Sequence, residues 1–137
     1  MATATILMSA ELSTLGDMDN TIRSFDLLDS LEKLAKAGKI HYKECVGVYK
    51  GVGETSFLVL LHDRDTEPYQ DIKRLAHEFN QESILIVNRN RSARLLYLER
   101  GEYERLDGYW HNFEPTDPMP ENYTIIAGLY YKVGFES

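Results

Sequence analysis

The chain has 137 residues, with 22 acidic and 15 basic side chains that give a net charge of −7. This length suits one domain, and the acidic balance argues against binding to DNA, RNA or an anionic membrane, because each of these needs a basic protein face. A single cysteine, Cys45, excludes an internal disulfide and a cysteine-rich zinc site.

The first residues bear on where the protein is expected to reside. Residues 1–10 lack a basic segment, and the apolar run at residues 6–8 is too short for a signal sequence. No stretch of the chain reaches the roughly 18–20 apolar residues of a membrane span. We therefore expect a soluble cytoplasmic protein with neither a membrane nor a nucleic acid as its partner.

The first part of the chain predicts a strand followed by a helix. Residues 3–10 are rich in β-branched and apolar side chains, which favours a strand. Asp17 or Asp19 can cap the next segment, whose apolar residues recur at helical spacing until Gly38 ends the helix. These apolar positions are Ile22, Phe25, Leu27, Leu28, Leu31, Leu34 and Ala35.

A β-hairpin is predicted next. Residues 40–50 and 54–62 read as strands, and the glycine-rich residues 51–53 form the turn between them. Tyr49 and Glu54 bracket this turn, so both are expected near the same end of the sheet. The Glu54 carboxylate could be a strand-edge charge that faces water, or it could lie at a pocket mouth and bind a cation.

The second part of the chain predicts another helix and further strands. The helix begins near Thr66–Pro68, where proline suits the first turn. One face of this helix carries Ile72, Leu75, Ala76 and Phe79. Strands are predicted at residues 83–87, 93–99, 103–106 and 124–133.

This order of elements predicts an α+β fold. The sequence β-α-β-β-α-β favours a ferredoxin-like α/β sandwich, an antiparallel sheet with two helices on one face and extra C-terminal strands. We expect residues 1–137 to form a single domain. Residues 4–113 would be the ferredoxin-like core, and residues 114–137 an extension whose strand pairs at a sheet edge or crosses to a neighbouring subunit.

Other polar and aromatic features leave alternatives open. Gln81 follows the second helix, where its amide could cap the helix end or contact a ligand. Six of the nine tyrosines lie in the C-terminal third of the chain. Tyrosine-rich strands are typical of interfaces, and aromatic faces also attract sulfonium and ammonium cations.

Five segments along the chain form a recognisable set: residues 6–10 (ILMSA), 47–50 (GVYK), 54–59 (ETSFLV), 72–87 (IKRLAHEFNQESILIV) and 95–98 (LLYL). Together they resemble a known family, the small phage-encoded S-adenosylmethionine lyases that were formerly called S-adenosylmethionine hydrolases. The resemblance covers roughly residues 4–113, and its most specific part is the helix-to-strand segment at residues 75–87.

The resemblance implies a specific reaction. The carboxylate of S-adenosylmethionine attacks its own γ-carbon, which yields 5′-methylthioadenosine and homoserine lactone and depletes the methyl donor that host restriction–modification needs. It also implies a homotrimer of ferredoxin-like protomers with the substrate bound between subunits, in the host cytoplasm, without a metal or an organic cofactor. Such chemistry needs mainly a bent substrate conformer and exclusion of water.

The resemblance also implies roles for individual residues. Glu54 would fix the polar groups of the substrate and hold the cation, and Tyr49 would position the methionine portion with its ring close to the sulfonium. Further substrate contacts would come from Ser9, Thr55, Ser56, Phe79, Gln81 and Ser83.

Two alternatives to the lyase reaction are open at this point. In a hydrolase, Glu54 would act as a general base on a water molecule, and the first product would be homoserine. In the other alternative, the chain is a non-catalytic acidic phage protein that binds and inhibits a host protein.

Overall fold

In a computed structural model, which describes residues 4–62, 64, 66–99 and 101–135, these residues form two helices and eight strands. The helices are α1 (Asp17–Lys36) and α2 (Glu67–Glu78). The strands are β1 (Ala4–Ser9), β2 (His41–Tyr49), β3 (Val52–Leu61), β4 (Ser83–Asn88), β5 (Ser92–Tyr97), β6 (Tyr103–Phe113), β7 (Asn122–Ile126) and β8 (Leu129–Gly134). Thr3, the first residue of the first predicted strand, lies outside the described residues.

The eight strands close into an antiparallel barrel in the order β1-β3-β2-β7-β8-β6-β5-β4, and β4 pairs with β1 to complete it. The prediction of an open ferredoxin-like sandwich is therefore wrong. The helices and the hairpin were predicted near their observed positions, but an open sheet would leave β2 and β5 without partners on one side. The later strands fill that gap.

The C-terminal segment closes the barrel within the same chain. It forms two strands rather than the single predicted one, because Ala127 and Gly128 adopt positive φ angles of 51° and 80° and reverse the chain. β7 pairs with β2, and β8 pairs with β6. The predicted edge or subunit-crossing strand is wrong for this segment, since both of its outer edges are paired.

The apolar core lies between the two helices and the outer face of the barrel. Strand residues alternate in direction, so that Ile6 and Met8 point towards the helices while Leu7 and Ser9 point to the inside of the barrel. The core contains Ile6, Met8, Leu27, Leu31, Phe57, Val59, Leu61, Ile72, Leu75, Ala76, Ile84, Ile86 and Leu96. The apolar core therefore does not fill the interior of the barrel.

Helix α1 carries apolar residues on two opposite faces. Leu27 and Leu31 are fully buried against the core, whereas Ile22 is 54% exposed and Phe25 is 64% exposed. At 3.6 residues per turn, Met18, Ile22 and Phe25 fall on the side of the helix away from Leu27. The single wide stripe predicted from the sequence is therefore two stripes, and only one of them packs against the sheet. Neither helix in the described part of the chain is long and apolar enough to cross a membrane.

The hydroxyl of Ser24 is buried on α1 and has no hydrogen-bond partner among the residues that the structure describes, and Ser24 is only 8% exposed. An unpaired buried hydroxyl lowers stability, so Ser24→Ala is expected to raise the free energy of unfolding by about 1 kcal/mol. Urea denaturation measures this change. Ser30→Ala on the same helix is the control, because the Ser30 hydroxyl is exposed and donates to the Asp26 carbonyl oxygen at 3.2 Å. A gain no larger than that of the control would contradict the prediction.

Candidate active site

A cavity of about 650 Å³ occupies the interior of the barrel. This volume lies within the range of about 300–1,000 Å³ that is usual for small-molecule sites. Side chains from all eight strands or from the residues beside them line the cavity, including Tyr49, Glu54 and Trp110.

The register of the strands arranges one wall of the cavity in two rows. Ser9 pairs with Ser56, and two residues further along the same strands Leu7 pairs with Leu58. Because paired residues share a face, hydroxyl groups form one row and leucines form the next. The polar row contains Ser56, Ser9 and Ser83, and the apolar row contains Leu7, Leu85 and Leu95.

Glu54 continues the polar side of this wall. It pairs with Gly47, where an added Cβ would lie 2.8 Å from the Ser56 Oγ and 3.9 Å from the Glu54 Cγ, so the glycine lets the Ser56 hydroxyl lie close to the backbone of β2 beside Glu54. Burial raises the pKa of Glu54 to about 7, and the negative charge of Glu11 adds to this effect. The carboxylate is therefore poorly solvated, and a cation in the cavity would stabilise its charged form.

Tyr49 lies at the tip of the hairpin, on the same face as Glu54. Lys50 and Gly51 have φ angles of 51° and 80° and form a two-residue turn, so that Tyr49 pairs directly with Val52. The Tyr49 side chain is 61% exposed, and the Lys50 Nζ lies 5.4 Å from the centre of its ring. An aromatic ring that attracts cations thus stands at the rim of the cavity.

Ser9 and Gln81 also line the cavity, but their polar atoms hold the surrounding backbone. The Ser9 hydroxyl donates to the Thr55 carbonyl oxygen at 2.8 Å and accepts from the Glu11 amide at 3.1 Å. The Gln81 Nε2 donates to the carbonyl oxygens of Glu11 and Phe79, both at 3.4 Å. Gln81 therefore ties down the end of α2 and also lines the cavity, and its contact with a ligand stays a prediction.

Two of the residues predicted for the site lie elsewhere. Thr55 follows Glu54 on β3 and so points to the opposite face of the strand, where it lines a second groove of about 350 Å³ with Glu11 and Glu44. Phe79 packs against the core beneath Arg23, whose guanidinium carbon lies 5.5 Å from the ring centre. The cavity brings together the other six: Ser9, Tyr49, Glu54, Ser56, Gln81 and Ser83.

The far wall of the cavity was missed by the sequence analysis because it depends on closure of the barrel. Its residues come from β5 to β8 and include Tyr97, Arg105, Asp107, Trp110, Asn122, Thr124, Lys132 and Val133. A glycine inside an apolar run, here Gly128, was the available signal that residues 124–133 form a hairpin. Among the described residues, no three His, Cys, Asp or Glu side chains are grouped as metal ligands.

A match to a known protein family identifies the family of this chain. The model of the S-adenosylmethionine lyase family matches residues 6–134, which is nearly the whole chain and includes all of β7 and β8. The chain belongs to this family. It is therefore an enzyme, an S-adenosylmethionine lyase. The residues matched by the family, 6–134, extend past residue 113, where the resemblance seen in the sequence ended. No match was found among curated proteins.

The chemistry of the substrate can be compared with the lining of the cavity. S-adenosylmethionine carries a positive sulfonium, an α-ammonium, a carboxylate and a flat adenine ring. A carboxylate such as Glu54 and an aromatic ring such as Tyr49 are the protein groups that complement cations. The lyase presents both at one side of the cavity.

Proposed function

We propose that the lyase cleaves S-adenosylmethionine inside the barrel into 5′-methylthioadenosine and homoserine lactone. The substrate's own carboxylate oxygen forms a bond to the γ-carbon as the bond from that carbon to sulfur breaks. Sulfur takes the electron pair and leaves as a neutral thioether, so the step needs no proton transfer. The observation that carries the proposal is the half-buried carboxylate of Glu54 in a cavity of substrate size, with Tyr49 on the same face.

The roles of the protein groups follow from the charges in this step. A sulfonium and a carboxylate neutralise each other as the reaction proceeds, so a dry cavity favours it and water opposes it. Glu54 would bind the α-ammonium by charge-assisted hydrogen bonds and thereby aim the neighbouring carboxylate at the γ-carbon. Tyr49 would hold the methionine portion, with its ring beside the sulfonium. Ser56 and Ser83 would add hydroxyl contacts from the polar row.

Product analysis tests the reaction. Purified enzyme is incubated with S-adenosylmethionine in the presence of a chelator, and the mixture is separated by chromatography. We expect 5′-methylthioadenosine and homoserine lactone in equal amounts at early times. Absence of 5′-methylthioadenosine would refute the proposal.

Direct hydrolysis is a second candidate, and the pKa of Glu54 supports it. A carboxylate whose pKa is raised to about 7 is well matched to act as a general base near neutral pH. Reaction in ¹⁸O-labelled water separates the two candidates. Direct attack of water on the γ-carbon places the label in the hydroxyl group of homoserine, whereas later opening of the lactone at its carbonyl places the label in the carboxyl group.

We further propose that the lyase acts as a homotrimer. Met18, Ile22 and Phe25 form an exposed apolar stripe on α1, and exposed stripes of this kind are typical of protein interfaces. A neighbouring subunit could also cover the open rim of the cavity near Tyr49. Sedimentation equilibrium of the purified protein should give three times the chain mass, and a monomer at micromolar concentration would exclude this assembly.

The biological role that we propose is depletion of the methyl donor in a host cytoplasm during phage infection, which would weaken methyl-dependent restriction–modification. The resemblance to phage-encoded lyases supports this role. Expression of the enzyme in a restricting host should lower cellular S-adenosylmethionine and raise the plating efficiency of an unmodified phage. An unchanged plating efficiency at a lowered S-adenosylmethionine level would refute it.

A further inference from the structure

Trp110 is the single tryptophan of the chain and lines the barrel cavity together with Glu54. Its ring lies nearly parallel to that of Tyr131, with a centroid distance of 5.3 Å and an interplanar angle of 9°. Its backbone amide donates to the Arg91 carbonyl oxygen at 2.9 Å. The Tyr131 ring therefore covers one side of the indole, and the hydrogen bond to Arg91 holds the backbone at Trp110.

The order of the strands sets Trp110 across the cavity from Glu54. Glu54 lies on β3 and Trp110 on β6, and three strands separate these two in either direction around the barrel. Residues on such strands stand on opposite walls of an eight-stranded barrel. The wall near Glu54 carries a carboxylate and a row of hydroxyl groups, whereas Trp110 pairs with Val133 on the opposite wall, which Arg105, Asp107 and Lys132 also line.

We propose that Trp110 is the surface on which the adenine ring of the substrate stacks, an assignment that rests on the proposed function. S-adenosylmethionine is elongated, with cationic groups at one end and a flat aromatic base at the other. The carboxylate and the indole on opposite walls match these two ends. Stacking of a base on an aromatic side chain contributes about ten- to a hundredfold in affinity. Trp110 is thus a binding residue that gives the enzyme a higher affinity for sulfonium compounds with an adenosyl group than for simple alkyl sulfonium compounds.

The intrinsic fluorescence of the lyase tests this inference directly, because all tryptophan emission comes from Trp110. Titration with 5′-methylthioadenosine should quench the emission in a saturable way, since the adenine ring stacks on the indole. Titration with S-methylmethionine, a sulfonium amino acid without a base, should leave the emission unchanged. Equal effects of the two compounds, or no effect of 5′-methylthioadenosine at concentrations that inhibit the enzyme, would overturn the inference.

Substitutions give a second readout. Trp110→Leu should raise KM for S-adenosylmethionine at least tenfold, and Trp110→Phe should restore most of the affinity because it keeps an aromatic face. Tyr103→Leu is the matched control, since Tyr103 is an exposed aromatic residue on the same strand that does not line the cavity. Normal KM values in a folded Trp110→Leu enzyme would overturn the inference while leaving the proposed cleavage intact. Quenching by 5′-methylthioadenosine without any cleavage would refute the proposed function and retain the adenine site.

Discussion

Replacing Glu54 with glutamine is expected to lower kcat/KM for S-adenosylmethionine by about two to three orders of magnitude. Glutamine keeps the size and shape of the side chain, but it loses the negative charge that would hold the α-ammonium in the cavity. Without that contact, the substrate carboxylate is aimed less often at the γ-carbon. Steady-state rates of 5′-methylthioadenosine formation measure the effect.

Glu44→Gln is the matched control for this experiment. Glu44 lies on β2, the partner strand in the same hairpin, but it lines the second groove instead of the barrel cavity. Its substitution removes the same charge from the other face of the sheet and should leave kcat/KM unchanged. A loss of activity in Glu44→Gln with normal activity in Glu54→Gln would show that the active site lies in the second groove.

The pH dependence of the enzyme should report the same carboxylate. Burial, with help from Glu11, raises the pKa of Glu54 from its ordinary value of 4.5 to about 7. Since the ionised form is the one that binds an ammonium group, kcat/KM should rise with pH until about 7 and then level off. The Glu54→Gln enzyme should show no such rise in kcat/KM. If kcat/KM depends on pH in the same way in both enzymes, Glu54 does not bind the substrate.

The free energy of unfolding should fall as the pH rises, whereas kcat/KM should rise. The folded state binds the Glu54 proton more tightly than the unfolded state, because the pKa of Glu54 is raised from 4.5 to about 7 on folding. The contribution of Glu54 to the free energy of unfolding is therefore fully present below pH 4.5 and is lost as the pH rises through about 7. Unfolding free energies of the wild type and of Glu54→Gln, measured by urea at pH 5 and pH 8, should therefore differ more at pH 8, with the variant the more stable.

Gly108→Ala is expected to lower the free energy of unfolding by roughly 3 kcal/mol or more. Gly108 has a φ of 145°, and an added Cβ would lie 2.3 Å from the Gly134 carbonyl oxygen and 2.9 Å from the Val133 Cγ1. The backbone must therefore move at the junction of β6 with β8, where the barrel is closed. Urea denaturation measures the loss, and activity should fall with it because this junction supports the cavity wall.

Gly53→Ala provides the control for this substitution. Gly53 also lies in a strand, but within the described part of the chain an added Cβ there would meet only the Val46 Cγ1 at 3.7 Å, an ordinary van der Waals contact. Its effect on stability should stay within about 1 kcal/mol. If Gly108→Ala is no more destabilising than Gly53→Ala, closure of the barrel at this junction is looser than the structure describes.

The resemblance to the lyase family indicated much of the polar wall. Ser9, Ser56 and Ser83 were expected at the pocket with Glu54 and do line the same cavity, because antiparallel pairing brings their strands together with these side chains on one face. Thr55 was misplaced although it neighbours Glu54, since adjacent strand residues point to opposite faces. Tyr49 was placed at the correct end because the hairpin turn is a local feature.

By itself, the sequence determined the two helices and the central hairpin, because these depend on residue periodicity and turn chemistry, and its segments carried the resemblance to the lyase family to which the chain belongs. Closure of the barrel was decided only by the tertiary structure. The pairing of β7 with β2 joins residues more than seventy positions apart, and no local pattern encodes that choice of partner. The same long-range pairing gives the cavity its second wall and sets Trp110 across from Glu54.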